Sequence, residues 1–331
     1  VKGGTEVDSA SAEDTVEIVA EATPFYGEAG GQAGDIGTIT ATDGGGLEVD
    51  IRETVKDPTG LIIHKGEIVS GSLAKNDAIR LVVNAEARQA TARNHTATHI
   101  LQSVLRETLG DHVKQAGSLV APDRLRFDFT HFSLIDPETI ADIEARVNAH
   151  IQENVVAQTE EMGAEQAFQS GATALFEEKY GDQVRVVSLS GFSKELCGGT
   201  HVSRTGDIGL FKIVGESSVA AGVRRIEALT GTSALRHVQQ TEQTLQAAAH
   251  RLKDAPQNVA ERIEKLQAEQ KALEKEVERL KSAMASRSVA EAESDVQLVN
   301  GVKVLVRKVD VDSPAALREM VDRFRDKMES G

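Results

Sequence analysis

The sequence predicts an α+β, multidomain fold, because its pattern changes three times along the 331 residues. Short apolar stretches between Gly, Asp and Pro turns fill the first quarter and favour a small β-barrel. Helical and strand patterns then alternate in a mixed α/β core. Heptad spacing after Asp254 predicts a long helical linker or coiled coil, and a strand followed by a last helix starts a small α/β C-terminal domain.

We expect domain boundaries at these changes: a β-barrel-like domain over 1–83, the mixed core over 84–235, the helical linker over 236–294, and the truncated start of the C-terminal domain over 295–331. Strands in the first domain are predicted at Val16–Ala20, Ile36–Thr40, Leu47–Ile51, Leu61–Ile63 and Ile79–Val83. Residues 1–87 carry 16 acidic and 6 basic side chains, which supply −10 of the net charge of −15. A polyanionic partner is therefore expected to contact the later segments.

The mixed core begins with a helix whose two ends are marked in the sequence. It is predicted to begin near Asn84 and to end at Gly110, which suits a C-terminal cap. Asp136-Pro137 marks the start of a second helix, with proline at the first helical position. Strands are predicted at Val184–Leu189, Gly206–Val214 and Arg224–Leu229, so helices and sheet share this segment.

The linker carries apolar residues at alternating spacings of four and three. They are Val259, Ile263, Leu266, Leu273, Val277, Leu280 and Met284, with Gln270 in the one polar position. This spacing predicts a helix with a single apolar stripe. Helix packing within the chain and a homodimer through the helical and C-terminal region would each cover that stripe.

Composition excludes several classes of protein. A single cysteine, Cys197, cannot form an internal disulfide, so a secreted disulfide scaffold is excluded and a reducing compartment is favoured. No apolar run approaches the roughly 18 residues that span a bilayer, and the N-terminus lacks a signal-peptide pattern. We therefore predict a cytoplasmic protein without a membrane partner. Nine Phe, two Tyr and no Trp argue against an RNA platform of stacked aromatic rings.

Two short motifs indicate a metal site. His95 and His99 stand four residues apart on the first predicted helix, which places both imidazoles on one face. Cys197 and His201 have the same spacing in a glycine-containing loop after a predicted strand. Together they supply three nitrogens and one sulfur, a set that suits tetrahedral zinc. Four protein ligands are usual for structural zinc, whereas catalytic zinc keeps a position for water. Three alternatives stay open: one ligand is displaceable, the metal binds substrate by expanding its shell, or the metal is absent and the same groups act directly.

Six stretches resemble, in the same order, the editing half of bacterial alanyl-tRNA synthetases. They are Thr23–Gln32, Arg93–His99, Gln115–Ser118, Arg124–Phe129, Cys197–His201 and Gly222–Ala228. The resemblance covers essentially the whole chain and identifies the mixed core as an editing domain of the alanyl/threonyl-tRNA synthetase type. An upstream aminoacylation core is not recognised, so the chain resembles the C-terminal part of such an enzyme and is not expected to charge tRNA.

This resemblance implies an aminoacyl-tRNA deacylase whose parent enzyme is an alanine–tRNA ligase. Its substrate would be tRNA(Ala) mischarged with Ser or Gly, because a pocket shaped for alanine cannot strongly exclude glycine or one added hydroxyl. It also implies Zn2+ held by the two motifs and metal-assisted attack of water on the ester. Cys197, Gln115 and Thr98 are the candidate catalytic residues: Gln115 matches the glutamine of the editing pocket in this resemblance, and Thr98 borders the metal face of the predicted helix. The last two would sense the seryl hydroxyl; the alternative is a Thr98 hydroxyl bonded to a helix carbonyl and a Gln115 at the surface.

Four further residues are expected to contact tRNA. For Arg224 and Arg225 the structural alternative is a salt-bridged strand, and for Gly30 and Gly31 it is a plain turn. Two further functions fit the motifs: a non-catalytic zinc-stapled module for tRNA binding or dimerisation, and a freestanding deacylase that edits in trans. The helical continuation after residue 236 favours the synthetase over the freestanding protein.

Overall fold

The computed structural model describes residues 1–42, 44–173, 181–189, 191–292, 296–306, 308–309 and 314–328. Contacts between residues divide the chain into two compact units, Val1–Gln240 and Thr241–Gly331. The first two predicted domains therefore lie within one unit. Among the helices that the structure describes, none is both long enough and apolar enough to cross a membrane.

Seven strands form the N-terminal part of the first unit. Their bounds are β1 Ser9–Ser11, β2 Thr15–Ile18, β3 Gly37–Ala41, β4 Glu48–Lys56, β5 Ile62–Ser70, β6 Ser72–Ala74 and β7 Ile79–Val83. Five of them form an antiparallel sheet in the order β2-β5-β4-β3-β7, and β1 pairs with β6. Val49 and Ile51 alternate with polar residues on β4 and join Ile39 and Ile68 in one hydrophobic core.

The prediction of a small β-barrel is wrong in one respect, since the sheet does not close. Within the described residues β2 pairs with β5 alone, and β7 pairs with β3 alone. A barrel requires its two edge strands to hydrogen-bond to each other, and these two do not. β2 has only four residues and β7 leads into the first helix at Asn84, which limits the edge available for closure.

The remainder of the first unit combines helices with two antiparallel sheets. The element bounds are α1 Ala85–Leu109, β8 Gln115–Val120, β9 Leu125–Thr130, α2 Pro137–Gln152, β10 Ala157–Gly163, α3 Ala164–Gln169, β11 Gln183–Leu189, β12 Ser193–Leu196, β13 Phe211–Ala220 and β14 Val223–Thr230. The sheet orders are β13-β14-β9-β8 and β10-β11-β12. The strand predicted to begin at Gly206 begins at Phe211, because a 3-10 turn occupies Thr205–Ile208.

Both predicted helix starts are confirmed, and a side-chain cap is present at each. Asn84 Oδ1 accepts a hydrogen bond from the Ala87 N–H at 3.0 Å, and Gly110 ends α1 with a φ of 112°. Asp136 Oδ1 accepts from the Thr139 N–H at 2.8 Å at the start of α2. These local hydrogen bonds fix where each helix begins and therefore which residues of α1 face the rest of the unit.

Helix α1 is buried around most of its circumference between Thr91 and Leu105. Its apolar residues belong to a core shared with β9 and α2, which includes Ile100, Leu101, Val104, Leu105, Phe127, Phe129, Ile143 and Val147. Loops from the N-terminal part and from the segment after β12 cover its polar face. The two histidines of α1 therefore lie inside the protein, where each polar atom needs a partner.

The second unit is mostly helical. The final elements of the chain are α4 Gly231–Leu252, which contains the boundary between the units, α5 Val259–Ala292, β15 Gln297–Val299, β16 Val302–Val304 and α6 Pro314–Met328. The predicted long helix is present as the 34 residues of α5. Its apolar stripe is largely exposed, with Leu273 at 65% and Met284 at 71%. The coiled coil and the homodimer stay predictions.

Candidate metal centre

Four side chains from two parts of the chain converge in the first unit. His95 and His99 project from α1, and Cys197 and His201 lie in the loop after β12. One ligand atom from each residue can be chosen so that all four lie within 4.8 Å of one another. Cys197 Sγ lies 3.3 Å from Nε2 of His95 and 3.3 Å from Nε2 of His201. The structure thus brings together the four residues that the sequence predicted as ligands.

The N-terminal part of the unit fixes the tautomer of His95. Gln32 Oε1 lies 2.6 Å from His95 Nδ1 and also accepts the Thr200 backbone N–H at 2.8 Å. Because that backbone group can only donate, the amide oxygen of Gln32 must face it, and His95 Nδ1 must carry a proton. His95 Nε2 is then the ring nitrogen that faces Cys197 Sγ.

A buried carboxylate holds His99 in the same manner. His99 Nδ1 donates to Glu195 Oε2, and the side chains of both residues are more than nine-tenths buried. Ser193 Oγ donates to the other oxygen of Glu195 at 2.8 Å. His99 Nε2 is buried without any hydrogen-bond partner. A buried nitrogen without a partner is costly, and a bound cation would satisfy it.

A threonine inside the first motif holds His201. Thr96 Oγ1 donates its one proton to the Ala92 carbonyl at 3.0 Å, so it can only accept from other groups. His201 Nδ1, 3.1 Å away, must therefore donate to it, and the Val202 N–H donates to the same oxygen at 3.2 Å. His201 Nε2 is thereby the ring nitrogen that lies next to the sulfur of Cys197.

The donor set fits zinc. Three imidazoles held through Nδ1 leave three Nε2 atoms for a metal, and Cys197 supplies the fourth donor as a thiolate. Hydrogen bonds at the far ring nitrogen are the usual way in which proteins orient metal-ligating histidines. Imidazole nitrogen and thiolate sulfur are donors that zinc and other transition metals accept, whereas magnesium and calcium prefer oxygen ligands.

Charges within the cluster favour the forms that bind a metal. Burial opposes a charged sulfur, but His95, His201 and His99 offset this and hold the pKa of Cys197 well below its usual value. Burial and the charge of His95 lower the pKa of His201 to about 3. Burial also disfavours the charged form of His99, yet the carboxylate of Glu195 raises the pKa of His99 well above the ordinary value. A metal at Nε2 would therefore displace a proton from His99.

The cluster lies at one side of a pocket of about 410 Å³. The described lining residues include Tyr26, Gly30 and Lys56 from the N-terminal part, Thr98 from α1, Gln115 and Ser118 from β8, and Gln183 and Arg185 from β11. Burial raises the pKa of Tyr26 to about 12, so its hydroxyl stays protonated and donates to the Ala29 carbonyl. A larger groove of about 980 Å³, lined by parts of 1–22 and 73–81, contains no histidine or cysteine among its described lining residues.

Thr98 and Gln115 both line this pocket. Thr98 Oγ1 donates to the Asn94 carbonyl at 2.8 Å, so the hydroxyl can offer only its lone pairs to a ligand. Gln115 begins β8, and its Nε2 is buried without a hydrogen-bond partner. The pair therefore combines an acceptor with an unused donor, and their role toward a substrate stays a prediction.

The residues predicted to contact tRNA lie in two different parts of the first unit. Arg225 binds Asp128 through two hydrogen bonds of 2.6 and 2.8 Å, and Arg224 forms an ion pair with Glu216. Both guanidinium groups are therefore paired across the β-sheet, which was the structural alternative, and neither is among the described residues that line the pocket. Gly30 lines the pocket, and Gly31, with a φ of 81°, lies against Ser118 so closely that a Cβ would contact its carbonyl oxygen at 2.6 Å.

Sequence reasoning missed the three residues that hold the imidazoles. Thr96 lies between the paired histidines and Glu195 stands two residues before Cys197, so their closeness to the motifs could have marked them. Gln32 is 63 residues from His95, and no spacing rule connects the two. Arg185, which donates to the carbonyls of Cys197 and Gly199, was missed for the same reason.

Comparison with known proteins gives a consistent result. A model described as the threonyl and alanyl tRNA synthetase second additional domain matches residues 184–227, and one for class II (A) tRNA synthetases matches residues 1–87. An alanine–tRNA ligase of Desulfosudis oleivorans is 54% identical over the whole chain, and those of Acetivibrio thermocellus and Rhizorhabdus wittichii are 46% and 48% identical. The chain spans 37–38% of the length of these curated relatives.

We predict that the single thiol reacts as a thiolate in metal-free protein. The rate of alkylation of Cys197 by iodoacetamide should be nearly constant between about pH 6 and 8, because its lowered pKa leaves the sulfur charged throughout. The same cysteine in denaturant serves as the control, and its rate should rise steeply over that range. A comparable rise in the folded protein would contradict the charge arrangement described above.

Proposed function

Because the chain belongs to the alanyl-tRNA synthetase family, we propose that its first unit hydrolyses tRNA(Ala) mischarged with Ser or Gly. The observation that carries this proposal is the three-nitrogen, one-sulfur cluster beside an open pocket. Water attacks the carbonyl carbon of the aminoacyl ester, the ester C–O bond breaks, and the terminal ribose hydroxyl leaves with a proton. When bound, zinc supplies a positive charge that polarises such a carbonyl.

The chain's own residues would orient the reacting ester. His95, His99, Cys197 and His201 would hold the zinc, and Arg185 fixes the loop that carries two of them by donating to two of its carbonyls. This leaves the metal side of the pocket rigid. Donors that are already in place cost little reorganisation when charge develops on the carbonyl oxygen, and such electrostatic stabilisation is usually the largest single contribution to enzyme catalysis.

Selection of Ser over Ala would depend on Thr98 and Gln115. The seryl hydroxyl can donate to Thr98 Oγ1, whose own proton is committed to Asn94, and can accept from the unused Nε2 of Gln115. An alanyl group would leave both partners unpaired inside the pocket. Each buried unpaired group costs about 1–3 kcal/mol, which corresponds to about one to two orders of magnitude in rate.

The pocket charge suits a nucleotide. The described residues that line the pocket include two positively charged side chains, Lys56 and Arg185, and no carboxylate. No ion pair of Lys56 is found among the described residues. The two cations in the lining contrast with the net charge of −10 over residues 1–87. We therefore assign Lys56 to the phosphate of the 3′-terminal nucleotide.

One observation favours a second function, a non-catalytic zinc-binding module. Four protein ligands are the usual complement of a structural zinc site, which suits a non-catalytic module for tRNA binding or dimerisation. The exposed apolar stripe of α5 offers a surface for such an association through the second unit. Hydrolysis measurements distinguish this function from the deacylase.

The deacylase proposal predicts Ser release from Ser-tRNA(Ala) well above the spontaneous rate, with about one zinc bound per chain by elemental analysis. Chelation and Cys197→Ala should each abolish that release, because both remove the ion, while circular dichroism shows the fold retained. Ser release that survives complete metal removal would contradict a zinc-dependent mechanism. Metal-loaded protein without any release would favour the non-catalytic module.

Selectivity should decrease when the proposed hydroxyl sensors are changed. Thr98→Val keeps the side-chain shape, and Gln115→Ala removes the unused donor; each should lower the ratio of Ser-tRNA(Ala) to Ala-tRNA(Ala) hydrolysis by about tenfold or more. Gln102→Ala is a matched control, since Gln102 is also buried on α1 with an unpaired oxygen but lies outside this pocket. Unchanged ratios for both sensor variants would place hydroxyl recognition elsewhere.

Replacing the proposed phosphate contact should weaken binding without slowing the chemistry. Lys56→Ala should raise KM for Ser-tRNA(Ala), leave kcat close to wild type, and reduce the slope of log affinity against log salt by about 1. Lys65→Ala is the control, because Lys65 lies on the neighbouring strand and already pairs with Glu53. An unchanged salt slope for Lys56→Ala would remove this residue from the phosphate contact.

A further inference from the structure

A buried amide from outside the two ligand motifs is attached to the metal centre. Gln32 is fully buried and belongs to the N-terminal part of the first unit. Its Oε1 accepts from His95 Nδ1 at 2.6 Å and from the Thr200 N–H at 2.8 Å, and its Nε2 donates to Thr200 Oγ1 at 3.0 Å. One side chain thus connects the ligand helix with the ligand loop.

The backbone around Gln32 is held on both sides. The Val120 N–H donates to the Gly31 carbonyl at 2.7 Å, and the Ala33 N–H donates to the Val120 carbonyl at 2.9 Å. These two bonds attach the segment to the end of β8, an edge strand of the four-stranded sheet. The backbone position of Gln32 is therefore fixed, and its side chain reaches His95 from there.

The opposite side of the contact has no room for a side chain. A Cβ on Gly199 would lie 2.0 Å from Cε1 of His95, 2.3 Å from its Nδ1 and 2.7 Å from Oε1 of Gln32. Glycine at this position lets the loop backbone close over the imidazole and the amide together. The ring of His95 is thereby confined between Gln32, the Gly199 backbone and the sulfur of Cys197.

We propose that Gln32 is a positioning residue for the metal centre, and that the N-terminal segment completes the centre by holding His95 with Nε2 toward the sulfur. The inference rests on the proposed metal site. It is tested by binding of the ion and not by hydrolysis, so it can fail while the deacylase proposal stands. In other metal sites, loss of the hydrogen-bond partner of a ligating histidine weakens metal affinity by about 10- to 100-fold.

The experiment titrates the full chain with Co2+ and follows the thiolate-to-cobalt absorption of Cys197. Gln32→Ala should weaken Co2+ affinity by about 10- to 100-fold and reduce or shift the thiolate band, because His95 is released. Gln32→Glu keeps an acceptor oxygen and should restore affinity to within a few-fold of wild type. Circular dichroism and thermal melting check that each variant is folded.

Arg88→Ala is the matched control for general loosening of the N-terminal segment. Arg88 on α1 binds the Asp35 carboxylate and the Pro24 carbonyl, and it touches no ligand. If Gln32 acts on the ion through His95, Arg88→Ala keeps wild-type Co2+ affinity and the wild-type absorption band. Equal Co2+ affinity of wild type and Gln32→Ala overturns this inference but not the metal centre. A loss of Co2+ affinity in Arg88→Ala as large as that in Gln32→Ala has the same consequence. Wild-type protein that binds no Co2+ overturns the metal centre and the inference together.

Discussion

The candidate site depends on one constraint: three imidazoles must present Nε2 to one thiolate inside the protein. An imidazole has two ring nitrogens, and each ring is fixed only when the far nitrogen has an acceptor. Gln32, Glu195 and Thr96 supply these acceptors, from an N-terminal loop, from β12 and from α1 itself. The centre is therefore a network in which three separate parts of the first unit must be docked at once.

The same constraint explains the unusual environment of α1. An ordinary surface helix buries one stripe and exposes the rest, whereas α1 is covered on its apolar face by the core and on its polar face by loops. Several buried polar side chains of α1 have their own partners; Asn94, for example, donates to the Ala121 carbonyl at 2.7 Å and accepts from Thr230 Oγ1 at 2.7 Å. The polar residues of the helix are costly to bury unless paired, and here the pairing also aligns the ligands.

Charge is organised locally in this protein. The chain carries a net charge of −15, most of it in the N-terminal quarter, yet that quarter contributes Lys56 to a pocket whose described lining residues include no carboxylate. The two arginines that the sequence marked for tRNA pair with Asp128 and Glu216 within one sheet. Net charge along the chain is therefore a poor guide to the local charge of this pocket.

The sequence by itself determined the local features, because caps, strand alternation and i, i+4 spacing act over a few residues. Asn84 and Asp136 start their helices as predicted, and the ligand pairs were recognisable as two motifs. Only the tertiary structure decided which distant groups meet. Whether edge strands close a barrel depends on pairing between strands far apart in sequence, and the sheet stays open. The contact of Gln32 with His95 likewise arises because a loop docks on the edge of β8, which no short-range pattern encodes.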